Sequence, residues 1–339
     1  MSRIAALPSR RQVVGAAAAL ALRATSAGAQ APRRIELLIG YTPGGSYDLY
    51  ARLVARHLGR FLPGEPTVVP QNLPGAGSLR AANFIYGAAP KDGSVIGIVT
   101  ETVALEQALS NTAVQYDATR FTWIGRVASS INVQLVWNSA KVQNVHDAYH
   151  TEVTFAGTGP GNVAETIPRL LHGLLGMKIR VISGYPASNE AMLAMERGEV
   201  DGATTSWTAL KVGKRDWLRD KKAKVILQDL PARDAELPDV PCLVELGRND
   251  EEKQVLALYA SGGAIGRAIM APPGLDPEAA KVLRSAFMAM TRDPEFGADV
   301  RKTGLELEPL SGEALAEVVA KGLDIPAQTR ERAKSVFGR

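Results

Sequence analysis

The sequence predicts an α/β protein of two domains, and three observations lead there. The 339 residues give room for two domains of ordinary size. Apolar residues make up 46% and charged residues 22%, the balance of a chain with a sizeable core. Short apolar runs of strand length alternate with longer runs at helical spacing. That alternation argues for mostly parallel sheets with helices on their faces.

The elements follow in order. Arg34 to Gly40 reads as a strand. Leu49, Leu53, Val54, Leu58 and Leu62 form one apolar stripe of a helix that Pro63-Gly64 stops. Thr67 to Val69 is the next strand, Asn72 to Gly77 a loop of turn formers, and Leu79 to Tyr86 a helix. Lys91-Asp92-Gly93 turns into the strand Val95 to Val99. The middle of the chain repeats the logic. Val153 to Ala156 is a strand ending in the loop Gly157 to Asn162, and a helix then runs to Leu175. Ile179 to Ile182 is a strand, Gly184 to Asn189 opens a helix ending near Gly198, and Glu199 to Thr204 and Lys224 to Leu227 are strands. Late in the chain come the strand Ala268 to Ala271, the helices Pro277 to Met290 and Gly312 to Lys321, and a polar tail.

The first 29 residues read as a leader and not as part of the fold. Ser9-Arg10-Arg11 precedes a short apolar run, Ala16 to Leu22, and Ala27-Gly28-Ala29 has the small-x-small pattern of a signal-peptidase site. The arginine pair suits both the Sec and the twin-arginine route. Cleavage after Ala29 removes Arg3, Arg10, Arg11 and Arg23, which lowers Lys plus Arg from 39 to 35, equal to the 35 acidic residues. A near-neutral mature chain argues against nucleic acid as a partner. No other apolar stretch reaches the ~18–20 residues of a membrane span. The single cysteine, Cys242, has apolar neighbours and reads as a buried small side chain.

Three glycine-rich loops stand between a strand and a helix: Tyr41 to Asp48, Pro74 to Ser78, and Gly157 to Asn162. A helix N-terminus presents unpaired N–H groups and about half a positive charge. Glycine lets a ligand approach that backbone, so such a loop can hold a carboxylate or phosphate without lysine or arginine. Ligands of open α/β sheets sit outside the carboxyl ends of the strands, where these loops lie. Other motifs fail. Gly157-Thr158-Gly159 begins a dinucleotide fingerprint, but Asn162 stands at the third glycine position. There is no P-loop and no Gly-x-Ser-x-Gly elbow. His146 and His150 lie four apart but read as a solvated face, without the His-Glu-x-x-His of a metal site. Asp48 reads as a helix cap. Glu101 reads as a surface loop carboxylate, with selection of a ligand amine or hydroxyl as the alternative. No catalytic residue, metal or cofactor is expected, because no nucleophile stands beside a base.

Gly40-Tyr41-Thr42-Pro43-Gly44-Gly45-Ser46-Tyr47-Asp48, followed by Ala51-Arg52, resembles the first strand–loop–helix of the tripartite tricarboxylate transporter receptors, the Bug or TctC-type solute-binding proteins. Asn72-Leu73-Pro74-Gly75-Ala76-Gly77, Pro90-Lys91-Asp92-Gly93, Asp239-Val240-Pro241-Cys242-Leu243 and Ala271-Pro272-Pro273-Gly274 resemble later motifs of that family in order and spacing. Two departures are Tyr41-Thr42 before the Pro-Gly-Gly and Pro160 in the middle loop, which removes a backbone donor.

The resemblance implies a two-lobed type II periplasmic-binding fold, each lobe a mostly parallel sheet flanked by helices. Residues 30–135 and 264–339 would form lobe 1, and 136–263 lobe 2. It also implies a periplasmic monomer that captures a small organic acid in the interlobe cleft for the permease subunits of a tripartite tricarboxylate transporter. The ligand contacts carried over are Tyr41, Thr42, Gly44, Gly45 and Ser46 in the first lobe. In the second they are Gly157, Thr158, Gly159, Asn162, Ala187 and Ser188. Presentation of ligand to a sensor kinase, or a secreted enzyme using the same cleft, are the rival readings. Dicarboxylate, tricarboxylate, aromatic acid and amino acid all fit neutral loops.

Overall fold

The structure is a computed structural model that describes residues 33–337. The leader and its cleavage site lie outside these residues. β1 (Arg34–Ile39), β2 (Thr67–Asn72), β3 (Val95–Ile98) and β4 (Thr122–Arg126) belong to the first sheet, with helices α1 (Ser46–His57), α2 (Leu79–Gly87) and α3 (Val103–Ala108) between them. β5 (Asn132–Trp137), β6 (Val153–Gly157), β7 (Ile179–Ser183), β8 (Gly202–Ser206) and β9 (Ala223–Gln228) build the second sheet. Its helices are α4 (Val163–Leu175), α5 (Ser188–Glu196), α6 (Trp207–Gly213), α7 (Arg215–Arg219) and α8 (Asp250–Ala260). The chain then returns as β10 (Ala268–Ala271), α9 (Pro277–Arg292), α10 (Pro294–Thr303), β11 (Leu310–Ser311) and α11 (Gly312–Leu323), and ends on α12 (Ala327–Val336).

Strand alternation builds both faces of each sheet. In β1, Ile35, Leu37 and Ile39 join the cluster under α1 and α9, while Leu38 joins the opposite one under α2 and α11. The second sheet is likewise covered twice. Leu170, Leu171 and Leu174 of α4 and Val255 and Leu256 of α8 lie on one face, and Met192 and Met195 of α5 and Trp217 of α7 on the other. Helix α1 starts three residues before the expected stripe, so Tyr47 and Tyr50 are buried and Leu49 only partly so. Strand β2 runs on through Pro70. It is the edge strand, where a missing N–H costs no ladder bond.

The sheets are mixed and not mostly parallel. The orders are β11-β4-β10-β3-β1-β2 and β7-β6-β8-β5-β9. β1 is parallel to β2 and β3, but β10 is antiparallel to β3 and β4. β6 is parallel to β7 and β8, but β5 is antiparallel to β8 and β9. The cause is the lobe crossing. A strand that enters a lobe at the hinge must run away from it, whereas β8 runs towards it. Asn132 at the start of β5 therefore pairs with Ser206 at the end of β8.

Two crossings lie side by side, 127–131 and 263–267. They are tied by Val127 N to Arg267 O (3.0 Å), Arg267 N to Ala128 O (2.9 Å) and Ser130 N to Gly263 O (2.9 Å). The first crossing therefore precedes the boundary expected at residue 135. A second difference is at the C-terminus, where residues 264–339 were expected in lobe 1. Ala333 is buried in the core of the second lobe, with Val336 and Phe337 packed against it, so the chain crosses a third time, at residues 324–326. An apolar stripe in a tail that reads as polar drives this return.

Candidate functional site

The carboxyl ends of β1, β3, β6 and β8 face one another across the lobe boundary. There the loops enclose a cavity of about 30 Å³, lined by Tyr41, Gly45, Ser46, Tyr47, Glu101, Asn132, Asn162, Val163, Ala187, Ser188, Asn189, Thr204, Thr205, Ser206, Ala209 and Arg267. That volume holds little more than water. The two lobes thus stand close together over this space.

Four helix N-termini border this cavity, and they differ in one respect. Asn162 caps α4 by accepting from Ala164 N, and Ser206 caps α6 by accepting from Ala209 N. Helices α1 and α5 begin at Gly45 and Ala187 with no side-chain cap. Two uncapped N-termini therefore look into one space, each with free N–H groups and about half a positive charge.

Tyr41 and Tyr47 stack with ring centroids 4.6 Å apart. The Tyr41 hydroxyl donates to Gly77 O (3.3 Å) and accepts from Asn162 Nδ2 (2.6 Å), which joins the lobes. Burial pushes the Tyr41 phenol up to about 12 and Tyr47 well above its ordinary value, so both hydroxyls stay protonated. Tyr47 donates to Glu101 Oε2 (3.2 Å). Behind them Arg267 donates from Nη1 to Glu101 Oε2 (2.7 Å) and from Nη2 to Ser46 Oγ (2.9 Å). Its guanidinium lies 4.1 Å from the centroid of the Tyr47 ring. Asn132 Nδ2 donates to the other oxygen, Glu101 Oε1. Glu101 thus joins lobe 1, lobe 2 and the hinge. Another buried acid, Asp229, accepts from Gln134 Nε2 (2.7 Å). Burial, with the nearby Glu101 carboxylate adding to it, pushes its carboxyl well above the usual range.

Of the residues expected to contact ligand, Tyr41, Gly45, Ser46, Asn162, Ala187 and Ser188 line the cavity and Thr42, Gly44, Gly157, Thr158 and Gly159 do not. Gly44 N donates to Asp48 Oδ2 (2.9 Å). Burial raises the Asp48 pKa, but bonds from Arg52, Asn72 and Gly44 outweigh it and hold the carboxyl below its ordinary value. Gly159 N donates to Glu165 Oε2 (3.1 Å), and Thr158 Oγ1 to Asn162 Oδ1 (2.9 Å). Thr42 Oγ1 reaches across to Glu190 Oε1 (3.4 Å). Internal carboxylates and amides therefore already occupy donors that the sequence offers to a ligand.

The sequence reading did not find Arg267, Tyr47, Asn132 or Thr204 to Ser206. Glu101 is buried, 2% exposed, and not on a surface loop. A signal for Arg267 existed: it is the one charge in the apolar run Ile265 to Ala271. His146 lies within a short 3-10 turn (Val145–Tyr149) and His150 follows it, both exposed. No group of three metal-binding side chains occurs among the described residues.

The second glycine loop has a different role. It packs against the third: a methyl on Gly77 would sit 2.8 Å from Asn162 N, and one on Gly161 would sit 2.7 Å from Leu79 Cγ. Thr102 Oγ1 donates to Gly161 O (2.6 Å) across this seam. A larger cavity of about 580 Å³ lies behind the hinge, bordered by α3, α8, α11 and residues 324–326. Apolar residues such as Leu105, Leu258, Ile265 and Val318 form much of its wall. No uncapped N-terminus of α1 or α5 reaches it, and Glu101 is common to both linings.

A closed cleft between two α/β lobes, floored by helix N-termini and neutral donors, defines a solute-binding protein. The model of the tripartite tricarboxylate transporter family receptor, TctC, matches residues 50–324, and the chain belongs to that family, whose members bind solutes and are not enzymes. A curated relative from Cupriavidus necator, a UPF0065 protein in the gbd 5' region, is 26% identical over 329 residues, 92% of each chain. Among solved structures, the periplasmic binding protein BugD is 21% identical with a TM-score of 0.71, covering 90% of this chain and 98% of its own. A Rhodopseudomonas palustris protein solved with adipate is 21% identical with a TM-score of 0.70, over 91% of this chain and 99% of its own. MatC of the same organism, with bound malate, is 20% identical with a TM-score of 0.69, over 90% and 99%.

Proposed function

We propose that this chain is a periplasmic receptor that closes its lobes on a small organic carboxylate and delivers it to the permease subunits of a tripartite transporter. The observation that carries the reading is the pair of uncapped helix N-termini, at Gly45 and Ala187, on opposite walls of one interlobe cavity. A carboxylate set between them accepts N–H bonds from both lobes and so holds them together. Ser46, Tyr41, Asn162, Ser188 and Thr205 surround it with neutral polar side chains. The adipate and malate of the two R. palustris structures are carboxylates of the size such a cleft would admit once open. BugD's periplasmic setting agrees with the leader read in the sequence.

A thermal-shift screen of organic acids on the leader-free protein tests this. A ligand at a hundred times its dissociation constant should add about 2.7 kcal/mol to stability. No shift from any carboxylate, with a shift from neutral sugars or amines instead, would refute the reading.

A further inference from the structure

The four helix N-termini around the interlobe cavity offer N–H groups and positive charge to the carboxylates of an acid. What meets the rest of the molecule is the wall between them, and that wall is polar. Its aliphatic members are only Val163, Ala187 and Ala209. Several of the polar side chains are already engaged. Thr204 Oγ1 donates to Gln134 Oε1 (2.6 Å), and Ser206 Oγ accepts from Ala209 N (3.1 Å). Others in the lining are not. Among the described residues the hydroxyls of Thr205 and Ser188 and the amide of Asn189 make no hydrogen bond, and Asn132 gives its Nδ2 to Glu101 and leaves Oδ1 without a partner. Thr205 and Asn132 are buried and lie at the hinge ends of β8 and β5, where those strands pair. Ser188 and Asn189 open helix α5 on the same cavity.

We infer that the cleft selects hydroxy acids, carboxylates whose carbon chain carries hydroxyl groups, and that Thr205 and Asn132, helped by Ser188, read the hydroxyl. The inference rests on the carboxylate reading above and narrows it. The unpaired set holds both kinds of group: hydroxyls and an amide N–H that donate, and an amide oxygen that accepts. A ligand hydroxyl donates and accepts, so it satisfies either kind. An ammonium group only donates and leaves the Asn189 N–H unmet. A plain aliphatic chain satisfies none of them. Covered by such a chain, these groups lose water and gain no partner, which costs more than an ordinary hydrogen bond contributes. A site made to bond a hydroxyl discriminates against the analogue without it for this reason.

The test is calorimetric titration with acids of equal length and equal number of carboxylates: galactarate against adipate, and each enantiomer of malate against succinate and aspartate. The wild-type protein should bind the hydroxylated member of at least one pair about fivefold or more tighter than its deoxy partner. Thr205→Val keeps the side-chain shape and suits a strand. It should lower that ratio about fivefold by weakening the hydroxy acid and sparing the deoxy one. Ser188→Ala should lower it by less, and carries the test if the first variant does not fold. A purely structural role for Thr205 would weaken both members alike and leave the ratio unchanged. Equal or tighter binding of the deoxy acids, tighter binding of aspartate than of malate, or an unchanged ratio in both variants overturns the inference while leaving a carboxylate receptor. If none of these acids binds but the thermal-shift screen finds another carboxylate, the inference alone falls; if the screen finds no carboxylate, it falls together with that reading.

Discussion

Gly161→Ala separates lobe closure from lobe folding. Gly161 lies in the loop of the second lobe, and its φ is not in the left-handed region, so alanine suits the backbone. The added methyl points out of its own lobe. In the closed structure it would sit 2.7 Å from Leu79 Cγ, 2.9 Å from Leu79 Cδ1 and 3.2 Å from the Ala76 carbonyl oxygen, all in the first lobe. Leu79 is fully buried and cannot swing aside, and the Ala76 carbonyl is backbone. Overpacking of this kind costs roughly 1–3 kcal/mol. If the lobes part in the unliganded protein, that cost falls on closure alone. Affinity should then drop roughly five- to 150-fold, with the apo melting temperature unchanged. Calorimetric titration with the best acid from the screen, beside melting curves, reads both. Unchanged affinity would show that the seam does not govern closure. An apo melting temperature that falls as far as the affinity would show that the methyl harms the fold itself.

Three further outcomes are expected. Gly45→Asp should abolish binding measured by titration: it sets a negative charge at the uncapped end of α1. Yet it should leave the apo melting curve nearly unchanged, because φ is −77° and a Cβ there meets nothing within 4 Å. Arg267→Leu leaves the Glu101 carboxylate buried and uncompensated, so urea denaturation should show a loss of ~3–5 kcal/mol; a loss under ~1 kcal/mol would mean the pair is not sealed from water. Asp229 holds its proton more tightly folded than unfolded. Its contribution is therefore full below its ordinary value of 3.8 and is lost as pH rises from there through the raised folded value. Asp229→Asn should flatten that decline in a series of melting curves, and an unaltered pH profile would contradict it.

Much of this architecture is written locally in the sequence. Strand, glycine loop and helix succeed one another within ten residues around Tyr41 to Leu49, so β1, the loop and α1 follow from spacing and turn chemistry alone. The mixed order of the sheets is not local. It depends on which end of a lobe the chain enters, and nothing in Asn132 to Trp137 records that. Arg267 was missed for a like reason. Its partner Glu101 is 166 residues away, and a lone arginine in an apolar run gains meaning only when the hinge brings the two together. The Gly44 and Gly159 N–H groups looked available because Asp48 and Glu165, which take them, lie on the following helix turns. Helix α10 was legible too: Asp293-Pro294 is a cap and first-turn proline, the same arrangement as Asp276-Pro277 at the start of α9.

The third crossing has a consequence for how the chain comes to be folded. β10 is an inner strand of the first sheet, between β4 and β3, and is not made until residue 268. The second lobe lacks the helix over Leu171 and Tyr259 until Ala333 has emerged. A growing chain thus reaches the ribosome exit with both lobes unfinished, and neither can settle as an autonomous unit ahead of the other. Contacts of such long sequence separation make folding slow and late. The two lobes are therefore completed only by residues from 268 onward, β10 for the first and α12 for the second.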